Sequence, residues 1–332
     1  MSVANSKQAR AGVAALAPGG LGYLLLAGGL MILPWFIPNY QRVFAAEILV
    51  WGLFALSFAI VYGVGGMLSF AQAGFFGMGC WGFNFATYYL QLNTWGAVAA
   101  AMLAAVLFAI PTGFIATRAR QHHFLIVTVI ISVLVHTVLA SGHYRWIAGP
   151  YVTRAMTFVP EVPLGFTSLS FRSELVGYYF TLAFVAAAVG AAWLIVNSPF
   201  GKALRAVRDN ETRSALIGLN VNRLRFLMFV AATAFAGLSG ALYALIARYT
   251  DLEFFHWTYS GKAVVWAVVG GVHSLIGPFF GTAFYMLASE YLSQYFEQFV
   301  VVFGVILLVV IRYAPEGLWD LLVRKTVGRA GP

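Results

Sequence analysis

The sequence predicts an all-α, polytopic helical membrane protein, and three observations carry that prediction. The 332-residue chain is 61% hydrophobic and only 9% charged, whereas a soluble domain needs about a quarter charged residues to cover its surface. Uncharged runs extend from Ala11 to Gln41 and from Ile48 to Thr117, and again over Gln121–Tyr144, Leu175–Gly201, Phe226–Ala247 and Ala263–Ser289. About 20 apolar residues cross a bilayer as a helix, so each run holds a span and the longest holds three. The third observation is the placement of charge. The net charge of +9 collects in short segments between the runs, as membrane loops do. A basic face for nucleic acid would need a soluble surface to sit on, and the composition leaves none.

Taken in order, the runs predict ten spans, at about 20–38, 44–62, 68–90, 95–116, 124–141, 175–196, 225–247, 261–273, 277–294 and 297–313, within one transmembrane domain over 1–332. The first follows Lys7 and Arg10 in the outline of a signal peptide. Its apolar run is too long for one, and Pro34-Trp35 ends it without a small-residue cleavage site, so an uncleaved helix is expected. The eighth and ninth are short. With both termini in the cytoplasm, fourteen Lys and Arg residues face that side and five face the other: Arg42, Arg145, Arg154, Arg172 and Arg248. This bias sets the orientation. It puts the segment from Ser198 to Arg225 in the cytoplasm and the loop around 142–173 outside.

Small residues gather in "AAAVGAAW" from Ala186 and "AFAGLSGAL" from Ala234, where Ala236 and Gly240 have the spacing of ordinary close helix packing. The single cysteine, Cys80, lies in an apolar run and reads as a small buried hydrophobe. An internal echo also stands out. "VGGMLSFAQAGFFG" from Val64 resembles "VGGVHSLIGPFFG" from Val269 with one residue skipped, about 205 residues on. Glycine-interrupted segments in corresponding positions are expected at unwound or re-entrant helices near a transport pathway.

Six basic and two acidic residues occupy Ser198–Arg225. Ser198 can cap a helix and Pro199 suits its first position. Phe200, Ala203, Leu204 and Val207 then recur on one apolar face, while Lys202, Arg205 and Arg208 point elsewhere. Asp209 stands four residues from both Arg205 and Arg213, which predicts surface ion pairs. Asn210 or Thr212 can break and recap the chain, and Gly218 suits a left-handed stop. One or two short amphipathic helices at the cytoplasmic face follow, shaped for docking a partner.

This segment resembles the cytoplasmic coupling segment of branched-chain amino acid ABC transporter permeases, the LivM/UrtC-like family. The likeness lies in "SPFG" at Ser198–Gly201, "ALRAVRDNE" at Ala203–Glu211 and "ALIGLNV" at Ala215–Val221. It continues in "AFAGLSGALYAL" from Ala234, "WTYSGK" at Trp257–Lys262, "VVGGVHSLIGPFFGTAF" from Val268 and "YAPEGLW" at Tyr313–Trp319. "GVGGMLSFAQAGFFGMGCW" from Gly63 resembles the family's first glycine-rich signature, so the likeness covers most of residues 50–320. Gln72 stands where the family pattern has His, Lys262 where an acidic residue is usual, and His273-Ser274 where Gly-Thr is usual. The outer loop "WIAGPYVTRAMTFVP" also departs from the pattern, so the resemblance determines the family more sharply than the substrate.

The resemblance implies an inner-membrane, multi-pass importer subunit that alternates between outward- and inward-open states while a separate ATPase binds ATP-Mg. It implies a second homologous permease subunit, cytoplasmic ABC ATPase subunits and an extracytoplasmic solute-binding protein as partners, within membrane lipid. The coupling residues would be Pro199, Gly201, Leu204, Arg205, Val207, Arg208, Asp209, Glu211 and Gly218. Leu204 and Val207 would pack in a cleft of the ATPase, with Arg205, Arg208, Asp209 and Glu211 setting register. Pathway candidates are Gly65, Gly66, Ser69, Gln72, Phe75, Phe76, Trp257, Ser260, Gly270 and Gly271. No cofactor is expected in this chain. Gly201-Lys202 and Gly261-Lys262 are each followed by Ala and lack the upstream Gly of a phosphate loop. H-E-x-x-H and G-x-S-x-G are absent as well, so neither metalloprotease nor hydrolase chemistry competes. His136 reads as a neutral core histidine, and Asp251, Glu253, Glu290 and Glu297 as loop-end acids.

The substrate implied is a branched-chain amino acid, with urea, short amides or small carboxylates as alternatives within the family. From another class, an ion-coupled secondary transporter or channel would usually carry acids inside its spans, and only Glu47 and Glu290 approach that here.

Overall fold

A computed structural model describes residues 28–119, 121–141, 154–155, 162–163, 168–169, 171, 173–295, 299–314 and 317–319. Of the helix expected over 20–38, residues 20–27 lie outside the described residues, while 28–32 are helical and Leu33–Trp35 form a 3-10 turn; the outer loop around 142–173 lies largely outside them. The architecture is all-helical. In order the helices are α1 (Asn39–Ala59), α2 (Gln72–Tyr88), α3 (Thr94–Ala116), α4 (Gln121–Ala140), α5 (Glu174–Asn197), α6 (Pro199–Asp209), α7 (Glu211–Leu216), α8 (Val221–Ala247), α9 (Trp257–Gly270), α10 (Gly277–Leu292) and α11 (Phe299–Tyr313). Four two-residue strands decorate the loops: β1 (Arg154–Ala155), β2 (Val162–Pro163), β3 (Ser168–Leu169) and β4 (Tyr249–Thr250). β1 pairs antiparallel with β4 and β2 with β3. The first pairing joins two segments that the charge bias had placed on one side of the membrane.

Among the described residues, five stretches are long and apolar enough to cross a membrane: Asn39–Val64, Thr94–Ala116, His123–Ala140, Glu174–Asn197 and Val221–Ala247. The other apolar helices sit where spans were expected but are shorter, with 17 residues in α2, 14 in α9, 16 in α10 and 15 in α11. Two of them differ from expectation for local reasons. α2 begins at Gln72 because residues 65–71 are unwound, and α9 begins at Trp257 and stops at a positive-φ glycine, Gly271.

α8 packs against α1, α2 and α3 and forms the centre of the bundle with α1. α2 and α8 approach at backbone distance. A Cβ on Gly240 would lie 2.1 Å from Phe76 O, and one on Gly79 would lie 2.2 Å from Gly237 O. Small residues let helices exchange close packing contacts where hydrophobic burial gives none. Cys80 belongs to this seam, fully buried, with its thiol donating weakly to Gly240 O at 3.2 Å. The outer faces are apolar too. Leu103, Leu107, Ile110 and Phe114 on α3, with Ile126, Ile130 and Leu134 on α4, are exposed, as helix faces turned to lipid are.

Candidate functional site

The site is built on two breaks of the same design. α1 runs into a π-helical turn at Ile60–Val64, a form that recurs at functional positions. The chain then unwinds until α2. Gly66 adopts φ +69°, Ser69 Oγ accepts from Ala71 N at 3.3 Å, and a helix starts at Gln72. The second break repeats this at the same spacing. Gly271 has φ +116°, Ser274 Oγ accepts from Ile276 N at 3.3 Å, and α10 starts at Gly277. The sequence echo is therefore a backbone echo. Each second glycine takes a left-handed turn that a side chain would strain, and each serine closes the turn that follows.

Unwound backbone in an apolar bundle needs partners, and the first break finds them on neighbouring helices. Phe70 N donates to Thr128 Oγ1 of α4 at 3.0 Å. Phe70 O accepts from Ser132 Oγ at 2.8 Å and from Ser260 Oγ of α9 at 2.7 Å. Ser260 Oγ also accepts from Ala73 N at 2.9 Å, in the first turn of α2 where no intrahelical carbonyl is available. Gln72 is fully buried with Oε1 3.4 Å from Ser57 Oγ, and its Nε2 has no partner. Ser57 already donates to Phe54 O, so its one proton is committed.

Among the pathway candidates, the structure thus brings Gly65, Gly66, Ser69, Gln72 and Ser260 together at the first break. Gly270 and Gly271 form the second break, which touches the first: a Cβ on Gly63 would lie 2.2 Å from Val272 O. Phe75 and Phe76 do not join the breaks. Phe76 stacks on Trp51 at 4.8 Å and Phe75 meets Phe229 edge-on at 5.3 Å, both fully buried as bundle packing. Trp257 is partly exposed, 6.4 Å from the Phe70 ring.

The segment from Ser198 to Arg225 is capped and tied to the bundle at several points. Ser198 Oγ caps α6 by accepting from Gly201 N, Pro199 takes the first position, and Asn210 Oδ1 recaps α7 by accepting from Arg213 N at 2.9 Å. Gly218 ends α7 with φ +87°, and Asn220 caps α8. Gly201 lies against the end of α5, where a Cβ would sit 2.3 Å from Val196 O. Arg205 Nη2 donates to Val196 O at 3.1 Å. Glu211 clasps Arg225 of α8 with both carboxylate oxygens, at 3.1 and 2.8 Å.

Two expectations about this segment change. Leu204 and Val207 are 0% and 1% exposed against this chain's own helices, so they anchor α6 to the bundle instead of filling a partner's cleft. Among the described residues Asp209 makes neither ion pair expected of it; Glu211, two residues further on, pairs with Arg225 instead. The apolar side chains that do stand clear are Leu216 and Ile217, 82% and 76% exposed at the tip of α7. The reading of α6 missed them because their exposure depends on how α7 is tethered. Two adjacent apolar residues before a glycine stop were the only available signal.

At the other end of the bundle, His136 Nε2 lies 3.9 Å from Glu253 Oε1, and its ring meets that of His256 at 5.0 Å. Lys262 Nζ lies 4.0 Å over the Tyr259 ring. Tyr249 of β4 donates to Asp251, and that bond holds its phenol above the ordinary value.

A family model described as the branched-chain amino acid transport system permease component matches residues 43–311. The chain is similar to the high-affinity branched-chain amino acid transport system permease protein LivM of Salmonella typhimurium, 22% identical over 86% of this chain and 71% of the relative. It is also similar to the LivH permease protein of the same organism, 25% identical over 81% of this chain and 90% of the relative. A shorter likeness, 27% identical over 32% of this chain and 34% of the relative, links it to the guanosine ABC transporter permease protein NupQ of Bacillus subtilis.

Proposed function

Because the chain belongs to the branched-chain amino acid transport system permease family, we propose that it is the membrane-spanning subunit of an ATP-driven importer for branched-chain amino acids. The observation that carries this reading is the family match across the bundle, joined to a cytoplasmic segment capped, clasped and tipped with exposed Leu216 and Ile217. A loop that only balanced charge would need none of those features. The relatives matched over most of the chain are named for branched-chain amino acids, whereas the guanosine permease is matched over about a third. One organism carries two similar permease proteins named for such transport, which supports pairing with a second permease subunit.

In this reading α2, α9, α10 and α11 cross the membrane as shorter spans beside the five long ones, the first span expected at about 20–38 completes ten, and both termini lie in the cytoplasm of a bacterial inner membrane. ATP-Mg binds a separate ATPase that receives α7 through Leu216 and Ile217. A solute-binding protein delivers substrate outside, and the two breaks line the route. Alternating access follows from rigid-body motion of the helices that the segment grips.

The test is co-expression of the tagged chain with candidate ATPase, second permease and binding-protein subunits, followed by reconstitution and uptake of labelled leucine. ATP-dependent uptake that needs the binding protein is expected. Replacing Leu216 and Ile217 with serine should lower ATPase association at least tenfold while leaving the melting temperature of the isolated chain unchanged. Uptake by the purified chain alone down an ion gradient would refute the proposal.

A further inference from the structure

We propose that Arg208 is a positioning residue that joins the cytoplasmic segment to the two breaks, so that movement of α6 reaches the pathway through one side chain. The inference rests on the permease reading and goes beyond it by naming the mechanical link. Sequence placed Arg208 among the residues facing the ATPase. In the structure Arg208 remains exposed at the rim of the bundle, but its head group reaches across: Nη1 donates to Gly63 O, in the π-helical turn that leads into the first break. The same nitrogen lies 3.5 Å from His273 Nδ1, in the second break. The aliphatic stem lies on Gly66, where a Cβ would come within 2.8 Å of Arg208 Cγ.

One side chain thus meets both members of a repeated backbone motif where they touch each other, at Gly63 and Val272. The rest of α6 can deliver a push. Its apolar face is buried through Leu204 and Val207, Arg205 holds it to the end of α5, and Glu211 ties the following helix to Arg225 of α8. A capped helix held at several points moves as a body, and packed interfaces respond to such movement by switching between discrete arrangements. The guanidinium suits this task. Its planar fork offers several fixed donors. The acceptor at Gly63 is a backbone carbonyl, whose position reports the path of the whole turn.

The experiment compares wild type, Arg208→Ala and Arg208→Lys in the assembled complex. It reads ATPase association, ATP hydrolysis, labelled leucine taken up per ATP, and ATP-dependent maleimide labelling of Leu68→Cys in the first break. The last readout needs no knowledge of substrate, and it is clean because the natural thiol, Cys80, is buried. Arg208→Ala should keep ATPase affinity within twofold and keep hydrolysis. Uptake per ATP should fall at least tenfold, and the ATP-dependent change in labelling should vanish. Arg208→Lys, which restores a single donor, should recover part of both. Gly66→Ala should uncouple in the same way, and less severely in the Arg208→Ala background, where the collision with Cγ is gone.

Loss of ATPase association in Arg208→Ala would make Arg208 a docking contact and overturn the inference. Wild-type coupling in that variant would overturn it as well. A wild-type chain that binds no ATPase and shows no ATP-dependent labelling would sink the permease reading itself, a different result from either.

Discussion

The hydroxyl cage around Phe70 allows a prediction with a definite sign and order. Ser260→Ala removes two hydrogen bonds, to Phe70 O and from Ala73 N. Phe70 O keeps its bond from Ser132. Ala73 N, buried at the second position of α2, keeps nothing. A side-chain hydrogen bond between membrane helices contributes about 0.6 kcal/mol on average and up to about 1.7, and an orphaned buried N–H costs about 1–3 kcal/mol. Ser260→Ala should therefore cost about 2 kcal/mol, roughly a 30-fold shift in the unfolding equilibrium. Ser132→Ala removes one of two donors to the same carbonyl and should cost about 0.6 kcal/mol. The double variant strips Phe70 O of both donors, so its cost should exceed the sum by about 1 kcal/mol. The assay is unfolding of the purified chain in mixed detergent and SDS micelles, followed by circular dichroism. Additivity within about 0.5 kcal/mol, or equal costs for the two single variants, would show that the hydroxyls do not share one carbonyl.

Two further outcomes follow from packing and charge. Gly270→Ala would put a Cβ 1.7 Å from Gly277 O and force α9 from α10, whereas Gly190 of α5 has nothing within 4 Å. The first substitution should cost at least about 2 kcal/mol and the second should gain about 0.5–1 kcal/mol of helix propensity, read as melting temperatures by fluorescence-detected gel filtration. Glu211→Gln weakens the clasp on Arg225, which is 7% exposed while the Glu211 side chain is 53% exposed. The half-solvated geometry limits the loss to about 1–2 kcal/mol, and amide hydrogen exchange over residues 211–220 should rise while that of α8 holds.

Much of the local structure was legible because its causes are local. Ser198, Pro199, Asn210 and Gly218 each act within four residues of themselves, and each holds the position its chemistry requires. The echo between Val64 and Val269 was legible for the same reason. A glycine at positive φ and a serine two residues before an N–H specify a turn without reference to anything distant. The ends of α2 and α9 were less legible. Apolar composition continues through 65–71, and only partners from α4 and α9 make an unwound chain tolerable there.

The residues of the segment from Ser198 to Arg225 divide along the same line. The apolar face of α6 was read correctly as a face, but its direction was not in the sequence. Leu204 and Val207 could cover a partner or this bundle equally well by periodicity, and tertiary packing turned them inward. Arg208 and Asp209 looked alike as exposed charges, yet one reaches Gly63 and the other makes no ion pair among the described residues.

The sequence by itself thus determined the solvent, the family and the local turns, because hydropathy, charge bias and capping are properties of short stretches of chain. The tertiary structure alone decided that the two breaks touch, that hydroxyls from distant helices hold one of them open, and that Leu216 and Ile217 form the free tip. Those facts depend on contacts between residues far apart in sequence, and no local propensity encodes them.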